Sequence, residues 1–79
     1  MDNLTAAQWV TEARYHLEAA DRIGKGPDCE YHWNHIIRIA TILANAGFDI
    51  PRPYREGFTN IGPALVALSQ KIDAENIAA

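Results

Sequence analysis

Cys29, His32 and His35 follow one another at intervals of three residues, and thiolate with imidazole is a donor set that proteins use for zinc. On one helix Cys29 and His35 lie about 120° apart around the axis. They do not converge on a single tetrahedral ion unless a second element supplies the other ligands. His16 and Glu12 would be that second pair if their helix faced the cluster, and nothing in the sequence makes it do so. The expectation is that Cys29 is a small buried residue and that the histidines sit on a helix face or interface, with no metal and no cofactor.

Nucleophilic chemistry has less to recommend it. A cysteine near a helix N-terminus can have a lowered pKa, and His32 lies one turn from Cys29. Asp28 and Glu30 flank that thiol, however, and negative neighbours disfavour a thiolate. No third orienting group or oxyanion site accompanies the pair. The carboxylates occur singly among arginines and lysines, as on a solvated face. No residue is therefore expected to be catalytic, and the chain is expected not to be an enzyme.

Two binding chemistries remain. Gly24-Lys25-Gly26 precedes a helix whose first backbone N–H groups are free to receive an anion. Arg22 is close in sequence, and Tyr15 offers a ring for stacking. Lys25, Arg22 and Tyr15 would serve an oligomeric helical protein that binds or sequesters a small anionic ligand such as a nucleotide. Against this, Asp28 and Glu30 add opposing charge, and the turn is no phosphate-loop motif.

The other chemistry is protein recognition. Arginine outnumbers lysine five to two, and arginine with aromatics is the composition enriched at interfaces. Arg52-Pro53-Tyr54-Arg55 with Phe58 forms a locally basic, aromatic, proline-stiffened cluster in an acidic chain. Tyr31, His35 and Arg38 add a second group on the middle helix. The competing reading is that Tyr54 and Phe58 plug the end of the bundle while the arginines meet solvent. The two readings are compatible.

The elements that must position these residues read as helices. Thr5-Ala6-Ala7-Gln8 fits a capping box, with Leu4 and Trp9 as a hydrophobic staple. Ala6, Trp9, Val10, Ala13, Leu17, Ala20 and Ile23 then follow helical spacing, predicting a helix over 5–23 that stops at Gly24. A second helix over 28–46 follows Pro27 and ends at Gly47. Its stripe of Cys29, Trp33, Ile36, Ile37, Ala40, Leu43 and Ala44 adjoins another formed by Ile39, Ile42 and Ala46. An apolar circumference that wide predicts a central helix. Pro51 and Pro53 exclude a regular helix from the connector 48–60, whose Phe48, Ile50, Tyr54 and Phe58 nonetheless ask for burial. Ile61, Ala64, Leu65, Leu68 and Ile72 predict a third helix over 61–77, capped by Thr59 or Asn60.

The expected architecture is an all-α, small three-helix bundle forming one domain over 1–79. Thirteen of the 79 residues are alanine, so the 48% hydrophobic content overstates the side chains able to fill a core. Cores of this size rarely supply more than about 3–5 kcal/mol, and association is a common remedy. The net charge of −3 and a pI near 5.4 argue against nucleic acid as partner. One cysteine excludes an intramolecular disulfide framework. No apolar run reaches the roughly 20 residues of a membrane span, and Asp2 with polar first turns replaces a signal peptide. The sequence thus predicts a cytoplasmic, non-enzymatic protein-binding module: a small acidic regulator or inhibitor, in the style of those carried by phages and mobile elements, that binds another protein and forms homo-oligomers.

Overall fold

A computed structural model describes residues 2–52 and 60–78, and among these described residues the chain forms three helices. They are α1 (Asn3–Ile23), α2 (Pro27–Asn45) and α3 (Ile61–Ala78). The all-α reading stands, with the helix bounds within two residues of those expected. The connector's Phe48 and Pro51 are half-buried and Ile50 is buried, while 53–59 lie outside the described residues.

The start of α1 differs from its expected capping box. Asp2 is the N-cap, in extended conformation, and its carboxylate accepts from the Thr5 N–H at 2.8 Å. The Asp2 carbonyl accepts the first helical bond from Ala6 at 3.0 Å. Aspartate caps as well as threonine or better, and a charged acceptor at the positive helix end is favoured further. The helix therefore begins two residues earlier than Thr5 would allow. Leu4 then falls inside it, 70% exposed, and no staple to Trp9 forms.

The two turns use glycine for different geometries. Gly24 closes α1 at φ 84°, its N–H returning to the Ala20 carbonyl at 2.8 Å. At the end of α2, Gly47 (φ 97°) donates to Ala44 and Phe48 donates to Leu43, both at 3.1 Å. That pair of bonds is a Schellman motif. It turns the chain back so that Phe48 packs on the core and Ile50 is buried. At α3, the Asn60 carbonyl accepts from the Ala64 N–H, which suits Asn60 as the cap residue; Thr59 lies outside the described residues.

Contrary to the sequence expectation, the helix in the middle is α1. Its backbone approaches both others closely, whereas α2 and α3 barely approach one another. The cause is side-chain size: interaxial distance follows the residues at the contact. α1 buries Ala6, Ala13, Ala19 and Ala20, while the inward faces of α2 and α3 carry isoleucines and leucines that hold their axes apart. Ile36, Ile39 and Leu43 of α2 meet Ile61, Leu65, Leu68 and Ile72 of α3 in one cluster with Val10 and Ala13. Cys29, Ile36, Ala40 and Leu43 of the first stripe are buried and Ile37 half-buried, while of the second stripe Ile39 is buried, Ile42 half-buried and Ala46 exposed. A hydrogen bond from the Arg14 guanidinium to Ser69 Oγ at 3.1 Å ties α1 to α3 at the surface.

Candidate functional site

The link Gly24–Gly26 makes α1 and α2 antiparallel and sets which residues meet across their seam. Nearest the link, the buried Cys29 thiol donates to the Ala20 carbonyl at 3.6 Å. One turn further along each helix, His16 meets His32, their Nδ1 atoms 2.8 Å apart. His35, another turn along α2, lies flat against His16 with ring centroids 4.6 Å apart and planes 4° from parallel. The three histidines thus come together, with Glu12 one turn before His16 on α1.

Two tyrosines frame them. Tyr31 sets its edge against His35 (4.7 Å) and His32 (5.3 Å). From α1, Tyr15 meets His16 (5.3 Å) and His32 (6.3 Å) the same way. Edge-to-face contact sets the positive rim of one ring on the negative face of another. His16 is 7% exposed, whereas Tyr15 and Tyr31 remain 60% and 58% exposed. The cluster is buried at its base and aromatic at its rim.

Electrostatics follow from this placement. Burial, and then the neighbouring His35 and His32, hold the His16 imidazole below its ordinary pKa, with Glu12 pulling weakly the other way. His16 is therefore a neutral ring at neutral pH. An Nδ1–Nδ1 contact of 2.8 Å needs a proton on one nitrogen and a lone pair on the other, so the two facing Nδ1 atoms of His16 and His32 share one proton.

Metal chemistry fits poorly here. The parallel rings of His16 and His35 direct their in-plane lone pairs along separate sheets that do not meet at a point. No group of three His, Cys, Asp or Glu side chains among the described residues has the arrangement of a metal site. Cys29 is buried and already donates its S–H, which suits packing rather than nucleophilic attack.

Of the residues singled out for partner binding, Tyr31 and His35 belong to the ring cluster, and Arg38 is exposed one turn beyond His35 on α2. Arg52 lies elsewhere, half-buried, with its guanidinium donating to Asn45 Oδ1 at the end of α2. Tyr54, Arg55 and Phe58 lie outside the described residues. Among the candidates for anion binding, Lys25 and Arg22 are exposed at the α1–α2 link. Tyr15 is instead engaged with the histidines, two turns along α1 from Arg22. No family model, curated protein or solved structure matches the chain.

His16 was the residue that sequence patterning undervalued. The signal was available in the count from the link: His16 stands nine residues before Lys25, and His32 and His35 stand seven and ten after it. In an antiparallel pair closed by a short turn, equal distances from the turn face each other.

Proposed function

We propose that this chain is a non-enzymatic protein-binding module, a small acidic regulator or inhibitor that acts by occupying a surface of a partner protein and that also self-associates. The observation that carries the reading is the pair of tyrosines, each more than half exposed yet held edge-on by the histidines. A rigid, exposed aromatic loses little conformational freedom on binding and offers both apolar area and a hydroxyl. Arg38 adds a cation of the type that interfaces favour. Self-association draws support from Leu4, Ile23 and Val66, large apolar side chains left open to solvent, and from the small core.

The test is capture of a partner from the native host with the full chain as bait. A specific partner that is retained by Val66→Ser and lost by Tyr15→Ser/Tyr31→Ser supports the reading, and a partner indifferent to both tyrosines overturns it. Sedimentation at high micromolar concentration checks self-association separately. A species of 8.8 kDa, the mass of one chain, would end that part of the proposal.

A second reading has its own observation. Gly26, the N-cap of α2, provides no side-chain cap, and Lys25 sits next to it, exposed. An oligomer that repeats this corner would present Lys25 and Arg22 to a small anion such as a nucleotide, with the Tyr15 ring two turns away on α1. Thermal stabilisation by nucleotides or phosphate compounds that disappears in Lys25→Ala would favour this reading over the first. An unchanged melting temperature across the set would remove it.

A further inference from the structure

The α1–α2 seam is held on one side by imidazole rings instead of alkyl groups, and those rings are arranged for a single proton. We propose that His16, His32 and His35 form a proton-operated latch, closed while an Nδ1–H of one ring of the His16–His32 pair faces the Nδ1 lone pair of the other and released when both rings are cationic. In the closed state, one Nδ1–H donates to the facing lone pair across 2.8 Å. One added proton makes an imidazolium that still donates to the neutral partner's lone pair. When both rings are protonated no lone pair remains, and two cationic N–H donors confront each other with His35 stacked on His16 at 4.6 Å. His16 is buried and cannot take up water without leaving the seam. Release therefore loosens α1 from α2 beneath Tyr15 and Tyr31.

The surroundings do little to offset this charge. On α1, Glu12 is the one acid that favours the protonated ring, and burial with the two histidines outweighs it. On α3, the first ten residues, 61–70, hold no titratable side chain. Lys71, Asp73 and Glu75 come later, beyond Ser69, whose hydroxyl meets Arg14. The seam's aliphatic portion is indifferent to protons.

The sign of the effect is set by His16. Its folded pKa is depressed from the ordinary 6.5, so the unfolded chain binds the proton first as pH falls. Stability is then fully present above about pH 6.5 and declines from there down to the lower folded value, because the unfolded state holds more protons in that window. For one proton, the folded-to-unfolded ratio falls by up to about tenfold per pH unit.

The experiment is urea unfolding of the full chain at half-unit steps from pH 8 to 5, with parallel NMR titration of the three imidazoles. Wild type is expected to lose stability below pH 6.5, and His16→Leu, which replaces the buried ring with an apolar side chain, is expected to be flat over the same interval. His16 should titrate below the ordinary histidine range while remaining coupled to His32. A pH-independent wild type, a slope that survives in His16→Leu, or a His16 ring that titrates at 6.5 or above would each overturn the latch. Should His16→Leu fail to fold, the His32→Gln variant decides. Removal of its facing imidazole must raise the His16 pKa, and an unchanged His16 titration refutes the proposal.

Discussion

The two flanks of α1 are built from different materials. In one region it contributes Ala6, Val10 and Ala13 to a cluster with isoleucines and leucines of both α2 and α3, in which no buried member is ionisable. Along the ring-lined part of its seam with α2, it presents His16 between His32 and His35, under a rim of tyrosines. Hydrophobic burial is non-directional and scales with area. The ring cluster depends on orientation and on one proton. A single helix thus joins one interface that tolerates changes of pH to another that registers them.

The largest expected effect tests the aliphatic flank. Leu43 has no solvent exposure and sits in the shared cluster, so Leu43→Ala should cost about 2–5 kcal/mol. Measured by urea unfolding at pH 7.5 and 5.5, the loss should be the same at both. A pH-dependent loss would show that the flanks are not separable. Overfilling the same side should cost less: Ala13→Leu forces extra volume into the close approach of α1 and is expected to lose about 1–3 kcal/mol.

The link between the flanks comes next. Gly24 adopts φ 84° with open space where a Cβ would stand, so Gly24→Ala acts through backbone strain alone. A cost of about 1–2 kcal/mol is expected, readable as a lower urea midpoint with an unchanged slope. A neutral outcome would mean that the turn relaxes and does not dictate the histidine register.

The smallest effect lies at the exposed start of α1. The Thr5 N–H holds the Asp2 carboxyl below its usual range, with the Thr5 side chain and nearby N-terminal charge assisting. A depressed carboxylate pKa stabilises above the unfolded value of 3.8 and loses that contribution as pH falls through the folded one. Asp2→Ala should lower the melting temperature slightly at pH 7, and the difference from wild type should shrink as pH falls below 3.8. Its window opens below 3.8 and that of His16 below 6.5, so the two acid responses begin at different points of one titration.

Much of the fold was legible because it rests on local signals. Gly24, Pro27 and Gly47 punctuate the chain, and the spacing of Ile61, Leu65, Leu68 and Ile72 declares the face of α3. The cap of α1 was misread because Asp2 and Thr5 both suit the role, and only the hydrogen bond formed distinguishes them. The middle position of α1 was hidden for a different reason. An apolar circumference looks like a central helix, yet small side chains admit two neighbours more closely than large ones do. At the site, Tyr31 and His35 were picked out from residue type, whereas His16 was named only as a ligand on the condition that its helix faced them, and the register across the seam decided that it does.

By itself the sequence determined the class of structure, the three helices and the residues available for chemistry. These follow from backbone preferences and hydrophobic periodicity, which act over a few residues. Tertiary structure decided which of those residues meet. Cys29, His32 and His35 form no convergent trio on their own helix, and Tyr15 and Lys25 stand apart although sequence reasoning had grouped them. The antiparallel closure at Gly24–Gly26 brought His16 onto His32 and His35 and made one shared proton part of the seam. Contacts across a seam depend on register and axial separation, and the packed side chains set both.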